Sequence, residues 1–172
     1  MTTSQSYLEI YTECHSHDNF NEVFQAAINN KWSRELKLSS VKSCLTIGPG
    51  EGEREVPFIK QCAVNTSKLI AVEPDHESAE RLKIRLAEDL PGVESQVFET
   101  NIENWKGMDD QVDLMLIMQV LYYIRENERK ELYKKIHDQW LAPGGHVVVV
   151  SVSRAKYPGN VMEVFVLSLI HI

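Results

Sequence analysis

Val41-Lys-Ser-Cys-Leu-Thr-Ile47-Gly-Pro-Gly-Glu-Gly-Glu53 is the stretch on which the fold turns. An apolar run of strand length, 41–47, breaks into a glycine turn and then into helical sequence. A continuous apolar run bounded by turn residues is the mark of a strand buried on both faces. Glycines directly after such a strand let backbone approach a ligand where side chains would obstruct it. The spacing is Gly48-x-Gly50-x-Gly52; in the dinucleotide fingerprint GxGxxG the third glycine falls one residue later, where Glu53 stands.

Outward from this turn, strand and helix patterns alternate. Helix is expected at 53–63, with Pro57 tolerated only near the first turn. Strand 68–72 follows, then helix 76–90 with Ala79, Leu82, Leu86 and Leu90 on one stripe, ended by Pro91-Gly92. Residues 95–98 form a weaker third strand and 112–118 a fourth. Helix 126–140 carries Leu132, Ile136 and Trp140 at four-residue spacing and closes at Pro143-Gly144-Gly145. The fifth and clearest strand is 146–152. Residues 5–32 read as helix in two pieces broken near 16–19. This βαβ series predicts an α/β fold, a doubly wound, mostly parallel Rossmann-like sheet of about five strands. In such sheets ligands gather at the carboxyl ends of the strands, near the switch point. The loops at 48–52, 73, 100–101 and 118–123 are thereby nominated.

The chain has 172 residues, a net charge of −7, 43% hydrophobic and 25% charged residues. That suits a single globular domain and excludes disordered and fibrous classes. The acidic balance argues against a nucleic-acid partner. No apolar run reaches the roughly 18 residues of a membrane span, and the polar N-terminus lacks a signal-peptide core. Cys14, Cys44 and Cys62 show no metal-binding or disulfide rhythm. The expectation is a cytoplasmic monomer acting on a small molecule, with no membrane partner and no metal.

Gly-x-Gly-x-Gly between strand and helix is the pattern of S-adenosylmethionine (SAM) methyltransferases of the Rossmann-like class. Glu73 ends the second strand, where an acid can accept both hydroxyls of a ribose; the competing role is a helix cap, since Pro74-Asp75 follows. Met118-Gln119-Val-Leu-Tyr-Tyr123 runs from the fourth strand into a loop. Gln119 can orient a ligand by hydrogen bonding, and the faces of Tyr122 and Tyr123 can hold a cation, or the tyrosines pack under helix 126–140. Cys14-His15-Ser16-His17-Asp18 has the look of a metal cluster, but with no second ligand group nearby it reads as an ordinary polar loop.

Cys44-Leu-Thr-Ile-Gly-Pro-Gly-Glu-Gly52, Ala71-Val-Glu-Pro74 and Ile117-Met-Gln-Val-Leu-Tyr-Tyr-Ile124 together resemble the histamine N-methyltransferase family, over roughly residues 5–152. The Gln-x-Leu-Tyr-Tyr stretch is the most specific part. As in that family, no acid stands two residues before Gly48; Thr46 does. The resemblance implies SAM as cofactor, held by Gly48, Gly50, Gly52, Glu73, Ser78, Asn101 and Met118. It implies a small aromatic amine, histamine-like, held by Gln119, Tyr122 and Tyr123. The family's ring-binding N-terminal glutamate has His17 as its nearest match here.

The implied reaction is methyl transfer to a neutral amine nitrogen, which calls for alignment and dryness more than for a base, so no catalytic residue is named. A non-catalytic SAM-binding fragment, a methyltransferase for another small molecule and a nicotinamide oxidoreductase are the competing classes. The glycine spacing disfavours the oxidoreductase. One domain is expected over 1–172: an N-terminal helical region at 1–35, a core at 41–152 and a truncated tail at 153–172. The tail is expected to lack the fold's last strands and to leave the sheet edge bare. Its end, Leu167-Ser-Leu-Ile-His-Ile172, coincides with a translated transposase adapter, so foreign sequence is expected there; a natural short isoform is the alternative. Weak cofactor binding and poor turnover are the corresponding expectation.

Overall fold

The computed structural model describes residues 36–152 and 162–168. The N-terminal helical expectation, with His17 and the Cys14–Asp18 loop, lies outside the described residues.

Six strands and three helices alternate along the described chain: β1 (Ser43–Ile47), α1 (Glu55–Cys62), β2 (Lys68–Val72), α2 (His76–Asp89), β3 (Glu94–Phe98), β4 (Val112–Met118), α3 (Glu126–Lys135), β5 (Leu141–Val152) and β6 (Met162–Ser168). They form one sheet in the order β3-β2-β1-β4-β5-β6. The first five strands are parallel, as the βαβ series predicts. The order reverses between β1 and β4, which is the switch point.

Strands β1, β2 and β4 are buried almost throughout because both sheet faces are covered. Alternate residues feed two cores, as the two-residue period of a strand requires. Cys44, Leu69, Ala71, Leu114, Leu116 and Val148 pack against α1 and α2 through Val56, Ile59, Leu82 and Leu86. Leu45, Ile47, Ile70, Met115, Ile117 and Val149 pack on the other face against Leu132, Ile136 and Trp140. There Trp105 meets Trp140 edge-on at 5.1 Å between ring centroids.

Pro57 is the third residue of α1, where its missing N–H has no helical acceptor to lose. Helix 126–140 is α-helical only to Lys135; Ile136–Trp140 is a wider π-turn. Pro143-Gly144-Gly145 lies inside the span of β5, at a register irregularity opposite β4. A side chain at 145 would meet the Asp113 carbonyl at 3.0 Å, so backbone approaches backbone there.

The expectation of a bare sheet edge is corrected. β6 pairs antiparallel with β5 from His146↔Ser168 to Val152↔Met162. A parallel partner needs a crossover of about a dozen residues or more. Residues 153–161 are too few, so the chain returns antiparallel and satisfies the open N–H and C=O groups of β5.

Candidate functional site

At the carboxyl ends of β1, β2 and β4 a cavity of about 310 Å³ opens at the switch point. Its walls come from four short segments: the glycine turn with the start of α1, the end of β2 with the start of α2, the end of β4, and the Val120–Tyr123 turn.

Glu73 sits at the junction of two of these segments. Its carboxyl accepts the Gly50 N–H at 2.8 Å on Oε2 and the Asp75 N–H at 3.0 Å on Oε1. It thus ties the glycine turn to β2 while each oxygen keeps a lone pair for a further donor. Burial pushes its pKa up, and the two N–H bonds work the other way. The capping alternative falls to Asp75, whose Oδ1 accepts the Ser78 N–H at 2.9 Å at the start of α2. That bond holds the Asp75 carboxyl below its ordinary range.

Gly48 and Gly50 line the cavity, and so do Ser78 and Met118. Gly52 does not. Its φ is +75°, and a Cβ there would lie 2.6 Å from Leu82 Cδ1, so it serves the packing of the turn against α2. Asn101 is exposed and outside the lining; its carbonyl accepts the N–H groups of Asn104 and Trp105 at 3.0 Å.

Gln119 follows β4 with φ +59° and is 5% exposed. Its backbone N–H donates to the Val150 carbonyl at 2.7 Å, which holds the turn. A left-handed non-glycine residue costs about 1–2 kcal/mol and persists where its surroundings over-determine it. Among the described residues its side-chain amide nitrogen has no hydrogen-bond partner, although it is buried in the cavity wall. A buried donor left unpaired is costly, and a bound acceptor would relieve it.

Tyr123 lines the cavity at its mouth and is 58% exposed; Tyr122 is 41% exposed and outside the lining. Their ring centroids lie 4.4 Å apart at 52°. Neither is core beneath the following helix.

Sequence patterning passed over the acidic lining. Glu51, Glu53, Glu55 and Asp75 join Glu73 around the cavity, and Arg54 is the cation among the described lining residues. Glu51 also accepts from Arg81 at 3.1 Å. Glu55, 3% exposed at the start of α1, has its carboxyl pushed up to about 8, chiefly by burial. The signal was the alternation Glu51-x-Glu53-x-Glu55 running into an apolar helix.

No curated protein sequence matches the chain. Among solved structures, the plantazolicin methyltransferase BpumL in complex with a monoazolic desmethylPZN analog and SAH matches at TM-score 0.64. Its identity is 17%, with 85% of this chain and 53% of that one covered. The chain thus spans about half the length of that protein. The N-methyltransferase NodS from Bradyrhizobium japonicum WM9 matches at TM-score 0.57 and 22% identity, covering 80% and 73%. A SAM-dependent methyltransferase from Aquifex aeolicus matches at TM-score 0.60 and 12% identity, covering 91% and 78%. At these identities the likeness is one of fold. No helix among the described residues is long and apolar enough to cross a membrane. A family model described as a methyltransferase domain matches residues 44–145, more than half of the chain and every segment of the cavity wall, and the chain belongs to that family.

Proposed function

We propose that the chain is a SAM-dependent N-methyltransferase whose acceptor is a small aromatic amine, histamine-like. One observation carries the proposal: one cavity at the switch point holds a strand-end carboxyl, a glycine turn and a buried amide nitrogen with no partner among the described residues. The SAH complex of BpumL lends support by analogy, and NodS is an N-methyltransferase.

The residues present fit the cofactor. Glu73 would accept the ribose hydroxyls on its remaining lone pairs. Gly50 offers open backbone, since a Cβ there would meet nothing within 4 Å, whereas Gly48 lines the same wall with the Val120 side chain packed where its Cβ would stand, 2.5 Å from Val120 Cγ2. Ser78 and Met118 complete the wall, with Gly52 supporting the turn from outside it. Asn101 would need to turn inward to take part. SAM supplies an electrophilic methyl group: the acceptor nitrogen's lone pair forms the new C–N bond while the S–C electron pair stays on sulfur, and the amine's proton goes to water.

The remaining work belongs to the chain. Gln119 spends its free donor on holding a ligand acceptor at the end of β4. Tyr123, with Tyr122 beside it, presents aromatic surface at the mouth, suited to an amine that becomes cationic as it is methylated. His17 is proposed as the ring-binding counterpart of the family's glutamate. Alignment of donor and acceptor with water excluded is worth about 7–11 kcal/mol at best, so no strong base is required.

Titration calorimetry with SAM and with NAD, followed by a methylation screen over imidazole amines, catecholamines and small acids, tests the proposal. SAM should bind, NAD should not, and an imidazole or other aromatic amine should be methylated on nitrogen. Absence of SAM binding overturns the cofactor assignment. Methylation confined to acids or phenols overturns the acceptor class.

A further inference from the structure

Glu55 is the most deeply buried of the lining carboxyls, and the scheme above gives it no task. It opens α1 and is buried in the same cavity wall as Glu73 and the Gln119 amide nitrogen, which has no partner among the described residues. The groups facing it are known from each neighbouring element. Arg54 stands at the N-cap position of the same helix, with Glu53 just before it. Cys44 on β1 is a buried thiol that stays protonated, and Glu73 ends β2. Farther round the wall, Glu51 is bound by Arg81 and Asp75 by the Ser78 N–H. Charging a carboxyl at such a depth is expensive unless a cation stands against it. Burial dominates and pushes the Glu55 carboxyl up to about 8, against the N–H bonds of Glu55 and Arg54 and the Arg54 charge, which favour the charged form, while Glu73 opposes it. Near neutral pH it therefore holds a proton in the empty cavity. A ligand with a fixed positive charge supplies the missing counter-charge; a neutral one does not.

We propose that Glu55 makes this cavity selective for ligand charge, favouring a sulfonium donor over the neutral thioether that remains after transfer. The inference rests on the SAM assignment above. SAM and SAH carry the same ammonium and carboxylate groups, so comparing them isolates the sulfonium. When the sulfonium is bound, Glu55 gives up its proton to solvent and stands as its counter-ion. Once transfer has removed that charge, Glu55 has no counter-ion, recovers a proton from water and ceases to hold the product. Linkage then requires SAM affinity to rise by up to about tenfold per pH unit below the empty-site value and to level off above it. SAH affinity gains nothing from the same change.

The test is titration calorimetry of the full chain with SAM and with SAH between pH 6 and 9, in buffers of different ionisation enthalpy, on the wild type and Glu55→Gln. The glutamine keeps the side chain's size and hydrogen bonding but cannot ionise. In the wild type, SAM binding near pH 7 should release close to one proton, and SAH binding none. The preference for SAM should climb with pH and flatten near pH 8. Glu55→Gln should release no proton from this site, lose about tenfold or more of SAM affinity at pH 8 and show a pH-independent preference. Retention of the proton release in Glu55→Gln would assign it to another group, Glu73 first, and overturn the proposal. A purely structural role for Glu55 would leave the SAM-to-SAH ratio unmoved, which also overturns it. If Glu55→Gln does not fold, the wild-type proton count decides: no release on SAM binding is refutation. Binding of SAM and SAH with one constant ratio defeats this inference and leaves the cofactor assignment standing. Binding of neither defeats both.

Discussion

Replacing Gly52 with alanine would place a methyl group 2.6 Å from Leu82 Cδ1 and 3.1 Å from Val56 Cγ2 on a backbone with φ +75°. Gly50, two residues earlier in the same turn, has φ +57°, and a methyl there would meet nothing within 4 Å. The pair separates backbone strain from packing. Alanine in the left-handed region costs about 1–2 kcal/mol at either site. Overpacking against buried Leu82 and Val56 adds about 1–3 kcal/mol at Gly52 alone. The reduced freedom of the unfolded chain returns about 0.4–1 kcal/mol to both. Gly52→Ala should therefore lose about 1–5 kcal/mol and Gly50→Ala no more than about 2 kcal/mol. Urea unfolding measures both, provided the slopes stay equal to that of the wild type. Ligand binding should rank them the other way: Gly50 lines the cavity and Gly52 does not, so Gly50→Ala should weaken SAM binding more than Gly52→Ala in folded protein. Equal destabilisation of the two variants would refute the packing role given to Gly52, and unchanged SAM affinity in Gly50→Ala would refute its place against the ligand.

Glu73→Gln offers an amide N–H₂ to one of two backbone donors and removes the charge that favours ribose, so SAM affinity should fall by about 1.5–3 kcal/mol; unchanged calorimetric affinity would make Glu73 a structural tie only. Tyr123→Ala should raise the acceptor KM and leave SAM affinity and the unfolding midpoint nearly untouched, because the ring is mostly exposed; a matching loss of stability would return it to the core. Glu55 titrates at about 8 in the folded chain against an ordinary 4.5. The folded state then holds a proton that the unfolded chain releases, so stability falls as pH rises from about 4.5 to about 8 and is level beyond, with a slope of at most about 1.4 kcal/mol per pH unit. Glu55→Gln should flatten that fall in urea-unfolding midpoints; an identical pH profile in the variant would place the burial cost elsewhere.

The apolar runs at 41–47, 68–72 and 112–118 and the helical stripe of Leu82 and Leu86 were enough for the parallel sheet and its switch point. Their periods are local, and burial on both faces leaves one arrangement for strands linked by helices. The position of Gly48, Gly50 and Glu73 at the switch point was legible for the same reason, since a turn and an acid at strand ends are carried by short stretches of chain. Choices that depend on atoms distant in sequence were not. Gly52 proved a packing residue because Leu82, thirty residues on, lies against it; Asp75 rather than Glu73 caps α2 because the Gly50 N–H claims the Glu73 carboxyl. Asn101 is exposed and lies outside the cavity lining, and so does Tyr122, although its ring packs against that of Tyr123, which lines it. The antiparallel placement of the sixth strand follows from a hydrogen-bonding edge and a connection too short for a crossover, a constraint on the sheet that the apolar run at 162–168 does not state by itself. Glu55 is the sharpest case. In sequence it is one acid among three at alternate positions; only the fold buries it, and burial, through the cost of charge away from water, is what turns an ordinary carboxyl into one that answers to the charge of its ligand.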